Sequence, residues 1–133
     1  MKLSSLKVSD LMTTSLVILR ERDTLNQADL DMRLARIRHI PVTDEGGHVV
    51  GILSSRDLAR ASRRGVAVPV ASVMTREVRT IGTEAPAHQA AELMLSLRIG
   101  SLPVVGEDEQ LVGIVTETDF LRIACQALGG TPG

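Results

Sequence analysis

Tryptophan and tyrosine are absent from this 133-residue chain, and Phe120 is its one aromatic residue. Single-stranded nucleic acids are held largely by stacking on aromatic platforms, so that mode of binding is excluded. A single cysteine, Cys125, rules out a disulfide within the chain and suits a reducing compartment. Charge of one sign is also lacking. Fifteen Lys and Arg against 16 Asp and Glu leave a net charge of −1, and no global field draws the chain onto DNA or an anionic membrane. No apolar run reaches the ~18 residues of a membrane-spanning helix. The opening Met1-Lys2-Leu3-Ser4-Ser5-Leu6-Lys7 has no apolar core of a secretion signal. The expectation is a cytoplasmic protein with no nucleic-acid and no membrane partner.

What the chain does have is a repeat at a fixed offset of 62 residues. Met12-Thr13 returns as Met74-Thr75, Ile40-Pro41-Val42 as Leu102-Pro103-Val104, and Gly51-Ile52-Leu53-Ser54 as Gly113-Ile114-Val115-Thr116. Residues 8–61 laid over 70–123 match at 16 of 54 positions without a gap. Repeats at such a period define the architecture. A 54-residue unit alone buries little surface, so the two are expected to share one aliphatic core built on Val, Ile, Leu, Met and Ala. Met12, Met32, Met74 and Met94 recur at repeat positions and are expected to pack there.

Each repeat reads in the order β-α-β-β-α after a short opening turn. The opening turns are Ser9-Asp10-Leu11-Met12 and Ser72-Val73-Met74, with the serines expected as N-caps. Short strands follow at 16–19 and 78–81. Leu25, Ala28, Met32 and Ala35 fall on one helical face, and Ala87, Ala90, Met94 and Leu97 on its counterpart. Asp23 is the expected cap of the first of these helices, and Pro86 is expected at the first position of the second. Hairpins flank Asp44-Glu45-Gly46-Gly47 and Gly106-Glu107-Asp108-Glu109. Pro41 and Pro103 inside strands predict edges or irregular starts. Closing helices are expected from Ser55 to about Arg63 and from Glu117 to about Leu128. The segment 63–69 joins the repeats, and 129–133 is an expected frayed tail.

The element with chemical content is Gly-x-x-[Ser/Thr]-x-x-Asp at each strand-to-helix junction: Gly51, Ser54 and Asp57, then Gly113, Thr116 and Asp119. Backbone N–H groups at a helix start hold phosphate, with a hydroxyl assisting. A carboxylate one turn along accepts both hydroxyls of a ribose diol, and glycine permits close backbone approach. The same spacing is a capping box, in which the Asp bonds back to its own helix start. Spacing leaves both readings open.

The doubled Met-Thr opening, the [Ile/Leu]-Pro-Val hairpin and the Gly-Ile-[Leu/Val]-[Ser/Thr]-x-x-Asp closing segment resemble a tandem pair of cystathionine β-synthase (CBS) domains, a Bateman module, over about residues 6–125. The resemblance implies an α/β (α+β) fold of two β-α-β-β-α repeats, 6–64 and 68–128, packed with pseudo-twofold symmetry. It implies two clefts between the repeats for AMP, ADP, ATP or S-adenosylmethionine-like ligands. In it, Asp57 and Asp119 take ribose, and Ser54 and Thr116 face ribose or phosphate. Adenine lies against Leu16, Ala35, Ile37 and Ile52 in one cleft and Val78, Leu97, Ile99 and Ile114 in the other. Arg38-His39 and Gly100-Ser101 stand where the family meets phosphate.

The repeats differ at those places. Arg38, His39 and Arg56 align with Gly100, Ser101 and Thr118, and Arg suits bidentate phosphate contact. The Asp57 site is therefore expected to prefer a charged nucleotide, and the Asp119 site to be weaker or to select another adenosyl compound. His39, His48 and His88 have no zinc spacing, and Cys125 reads as a small apolar group. Arg60, Arg63 and Arg64 read as a solvated helix end.

The expected function is a regulatory sensor without catalysis. It needs no cofactor beyond its regulatory nucleotide, signals to an unidentified effector protein, and forms a homodimer. The alternative is a structural dimerisation or interaction module with vestigial, ligand-free clefts.

Overall fold

The computed structural model describes residues 2–65 and 67–133; Met1 of the opening segment and Val66 of the connecting segment lie outside them. The fold is mixed α+β. In chain order it comprises α1 (Val8–Leu11), α2 (Leu25–Ala35), β1 (His39–Thr43), β2 (Val49–Ser54), α3 (Ser55–Arg60), β3 (Ile81–Gly82), α4 (Ala87–Leu97), β4 (Ser101–Val105), β5 (Leu111–Thr116) and α5 (Glu117–Ala127). Every boundary of α2, β1 and β2 recurs 62 residues later in α4, β4 and β5.

The chain divides into two compact units. The first comprises Leu16–Val78 and Asp108–Leu111; the second comprises Met1–Ser15, Arg79–Glu107 and Val112–Gly133. Each unit thus takes one helix–hairpin–helix and the opening segment of the other sequence repeat. Reciprocal backbone hydrogen bonds hold these segments. Thr75 and Ile52 exchange bonds of 2.9 and 3.0 Å in the first unit, and Thr13 and Ile114 exchange bonds of 2.8 and 3.0 Å in the second.

The first unit's core gathers Leu19, Leu25, Met32, Ile40, Val42, Leu53 and Met74. The second unit's core gathers Val8, Ile81, Met94, Leu102, Val104 and Val115, with Met12 and Phe120 packed against it. All four repeated methionines are therefore packing residues. In α2 and α4 the first three apolar positions are buried, but Ala35 and Leu97, expected on the same faces, are exposed. Each is the last residue of its helix, where the chain turns away from the core.

β1 and β2 pair antiparallel, with His39 opposite Ser54 and a bulge between Val42 and Thr43. Pro41 lies inside this ladder without leaving a bond unmade. Its carbonyl accepts from Leu19, and in a strand the N–H and C=O of one residue point to the same side. The missing N–H therefore faces away from β2. In the second unit β3 runs parallel to β4, which neighbours β5.

Several local expectations are corrected. The expected strand 16–19 is reduced to one bridge, Leu19 with Val42, and the strand expected at 78–81 is shortened and shifted to Ile81–Gly82. Arg20, at Gly82's repeat position, gives its N–H to the Asp23 carboxylate at 2.7 Å, which closes a turn. α2 begins at Leu25, which places Asp23 one residue ahead of the cap position; Thr24 is the cap, its hydroxyl accepting the Gln27 N–H at 3.3 Å. Pro86 is the residue before α4, not its first. Ser9 lies within α1, and Ser72 ends a 3-10 turn, Val70–Ser72, donating its hydroxyl to Pro69. Neither serine is an N-cap. α3 stops at Arg60 and continues as a 3-10 turn, Ser62–Arg64, ended by Gly65 at φ +100°.

The hairpin turn at 44–48 follows its residue chemistry. Asp44 Oδ1 accepts from the Gly46 and His48 N–H groups, each at 2.9 Å. The hydrogen bond from the His48 N–H is the main reason its carboxyl lies below the usual carboxylate range. At 106–109 no such carboxylate opens the turn, and Asp108 and Glu109 adopt φ of 57° and 58°.

Gly113 is required by a close approach. A Cβ there would stand 2.7 Å from Met12 Sδ and 3.1 Å from the Thr13 carbonyl oxygen. Gly113→Ala is expected to destabilise the protein by about 1–3 kcal/mol through overpacking. Met12→Ala in the same chain should recover only part, because the backbone oxygen stays. Urea unfolding checks this; an unchanged midpoint for the single variant contradicts it.

Candidate functional site

The two strand-to-helix junctions are built alike. β2 passes without a loop into α3, and β5 into α5, leaving free N–H groups at each helix start. Ser54 donates its N–H to Asp57 Oδ2 at 2.9 Å, and Asp57 returns its own N–H to Ser54 Oγ at 3.1 Å. At the second junction Thr116 donates its N–H to Asp119 Oδ2 at 2.8 Å, and its hydroxyl reaches the same oxygen at 3.3 Å. Both aspartates therefore cap their helices, where a carboxylate in the first turn is also favoured by the helix dipole. The cap occupies Oδ2 in both. Among the described residues no hydrogen bond falls on either Oδ1, and both aspartates are half-buried.

A second repeated device brings the segments before the Pro-Val pair to these junctions. Arg36 and Arg98 end α2 and α4 in the left-handed region, at φ 56° and 55°. The chain reverses there, and the Ile37 and Ile99 N–H groups bond back to Met32 and Met94 at 3.1 Å. The Arg38 carbonyl then accepts the Ser55 N–H at 2.8 Å, and the Gly100 carbonyl accepts the Glu117 N–H at 3.1 Å. One helix-start donor is thereby satisfied at each junction, and residues 38–39 and 100–101 are fixed beside the aspartates.

Arg38, His39, Ser54, Arg56 and Asp57 thus stand together in the first unit, and Gly100, Ser101, Thr116, Thr118 and Asp119 in the second. Arg38 and Arg56 are exposed, and among the described residues neither guanidinium is hydrogen-bonded or ion-paired. His39 is half-buried, and Ser101 is buried.

The apolar residues assigned to adenine are less concentrated. Leu16, Ile37, Ile52, Val78 and Ile99 are half-buried, Ile114 is buried, and Ala35 and Leu97 are exposed. Val78 belongs to the first unit, and Leu97, Ile99 and Ile114 belong to the second. Two cavities lie within the first unit. A groove of about 490 Å³ between α2 and α3 includes Ile37. A smaller one of about 260 Å³ includes Leu16. Neither is lined by Asp57, Ser54, Arg38 or Arg56.

Residues that sequence reasoning did not single out are Arg36 and Arg98, whose backbone sets the reversal. Glycine is the usual mark of such a conformation, and none stands there. The one available signal was that Arg-Ile recurs unchanged at 36–37 and 98–99.

Paired helix–hairpin–helix repeats, each closing on a Ser/Thr-x-x-Asp helix start, define a tandem module with two equivalent junctions. The CBS domain family profile matches twice, at residues 8–64 and 70–125, and the chain belongs to the CBS domain family. It is similar to the CBS domain pair of protein MJ0100, solved with 5′-methylthioadenosine and S-adenosyl-L-methionine. That pair is 29% identical with a TM-score of 0.86, covering 92% of this chain and 98% of that one. It is also similar to CBSX2 solved with AMP, at 26% identity and a TM-score of 0.81, over 92% of this chain and 98% of that one. Homoserine O-acetyltransferase of Methanococcoides burtonii is 33% identical over 121 residues, 91% of this chain. The chain spans only 25% of that enzyme's length.

Among the described residues no helix is long and apolar enough to cross a membrane.

Proposed function

We propose that the chain is a non-catalytic regulatory module that binds an adenosine nucleotide, AMP, ADP, ATP or an S-adenosylmethionine-like compound, at its two strand-to-helix junctions. It acts as a cytoplasmic homodimer, its repeats 6–64 and 68–128 form one Bateman module, and it reports occupancy to a separate effector protein. The observation that carries this reading is the division of labour in Asp57 and Asp119. One oxygen of each caps its helix, and the other has lone pairs free for ribose hydroxyls. Ribose is common to the ligands of MJ0100 and CBSX2, two similar pairs. Arg38 and Arg56 beside Asp57, against Gly100 and Thr118 beside Asp119, support a first site that prefers phosphorylated ligand and a second that is weaker or selects another adenosyl compound. Ligand occupancy shifts the module's state only through different affinity for two states.

A second reading rests on the cap bonds themselves. If capping is the whole role of both carboxylates, the module is a docking or dimerisation unit without ligand. Thermal unfolding with AMP, ADP, ATP and S-adenosylmethionine separates the two. A ligand at a hundredfold excess over its Kd stabilises by about 2.7 kcal/mol, and ~3–5 °C per kcal/mol is expected at this size. At least one ligand should therefore raise the midpoint by roughly ten degrees. A flat response across the panel favours the second reading.

A further inference from the structure

The first unit carries a row of positive charge that its counterpart lacks. Arg56, Arg60 and Arg63 follow one another at spacings of four and three residues. They run from the first turn of α3 into the 3-10 turn Ser62–Arg64 that continues it. Those spacings bring the three side chains to one helical face, over about 10 Å of axis. All three are exposed, and among the described residues none of their guanidinium groups is hydrogen-bonded or ion-paired. Arg64, next in the chain, is tied down, donating to the Ser72 carbonyl at 3.3 Å. In the second unit the equivalent positions are Thr118, Arg122 and Cys125, and the row is broken.

The row stands apart from the groove between α2 and α3. That groove is lined from this side by Ser55, Leu58, Ala59 and Ser62, a face that begins one residue earlier. The arginines therefore lie about 100° round the helix from it. The helix dipole accounts for Arg60, at the end of α3, but disfavours a cation in the first turn, where Arg56 stands. Three neighbouring cations without partners repel one another, and an anion from outside the unit relieves them. Carboxylates at matching intervals suit guanidinium groups, which take them bidentately. A single-stranded nucleic acid suits the row less well, because neither α3 nor the turn after it carries an aromatic side chain to stack a base.

We infer that this face docks an acidic segment of a partner protein, its carboxylates spaced to meet Arg56, Arg60 and Arg63. Arg56 also belongs to the first junction, so a nucleotide phosphate bound there competes with the acidic segment for it. Docking stands on the row alone. The competition rests on the nucleotide reading above and converts occupancy into release of the partner. By linkage, the docked partner weakens the nucleotide by the same factor.

The probe is a fluorescent helical peptide with Glu at spacings of four and three; a second peptide has Gln at those places. Anisotropy with the full chain at low salt is expected to show the Glu peptide binding about tenfold more tightly than the Gln peptide, with the difference lost near ~0.5 M NaCl. Arg60→Gln combined with Arg63→Gln should weaken the Glu peptide on the order of tenfold, circular dichroism verifying the fold. Arg122→Gln, at the counterpart of Arg60 on α5, should leave it within about twofold of wild type. Saturating AMP should weaken it roughly threefold, the loss of one exposed charge pair. Equal binding of the two peptides overturns the docking assignment, as does a loss in Arg122→Gln as large as in the double variant. Tighter binding of an oligothymidylate of the same length than of the Glu peptide also overturns it. AMP that raises the unfolding midpoint yet leaves peptide binding unchanged overturns the competition alone. AMP that does neither removes the nucleotide reading and the competition with it, and leaves docking standing.

Discussion

Leu53→Ala is expected to lower stability by about 2–5 kcal/mol, the usual range for a buried leucine truncated in a close-packed core. Leu53 is fully buried on β2, opposite the equally buried Ile40, and belongs to the cluster that includes Leu19, Met32 and Val42. Truncation removes three carbon atoms. The strand pairing and α2 hold the surroundings in place, so the cavity closes only in part. Leu34→Ala is the control. That residue is 75% exposed at the end of α2, and its change should stay within about 0.5 kcal/mol. Chemical unfolding of both variants measures the difference. A loss below 1 kcal/mol at Leu53 would mean that the first unit's core is not the one described.

Asp57→Asn is expected to weaken AMP binding at the first junction on the order of a hundredfold while leaving stability within about 1 kcal/mol of wild type. The amide oxygen that replaces Oδ2 still accepts the Ser54 N–H, so most of the cap survives. The ligand side loses more, because hydrogen bonds to a charged acceptor contribute about 1.5–3 kcal/mol each, and about 2.7 kcal/mol is a hundredfold. Asp57→Ala should lose both cap and affinity. The pair of variants thus separates the two roles of one side chain by calorimetry and unfolding on the same samples. Undiminished affinity in Asp57→Asn, with stability lost in Asp57→Ala, identifies the carboxylate as a cap and nothing more.

The repeat made much of this legible in advance. Hairpin positions followed from Asp44-Glu45-Gly46-Gly47 and its counterpart, and helix faces followed from Leu25, Ala28 and Met32. Where the reading went astray, an element usually began or ended a residue or more from the expected place. Asp23 was expected to cap α2, but it closes a turn with the Arg20 N–H and the helix starts one residue later, capped by Thr24; the strand expected at 16–19 shrinks to one bridge beside that turn. The left-handed residues Arg36 and Arg98 had no glycine to announce them. The reciprocal bonding of Thr13 with Ile114, and of Thr75 with Ile52, joins segments about a hundred and about twenty residues apart, and pattern within a window carries no such information. At the junctions, Ser54-x-x-Asp57 and Thr116-x-x-Asp119 were legible as positions. Spacing could not choose between cap and ligand, because one carboxylate has oxygens enough for both.

Ribose recognition by Asp57 and Asp119 is tested most directly by titrating AMP and its 2′,3′-dideoxy analogue into wild-type protein and into the Asp57→Asn, Asp119→Asn double variant. The account predicts that wild type binds AMP on the order of a hundredfold more tightly than the analogue, and that the double variant binds the two alike. Equal affinity of wild type for both compounds would contradict it.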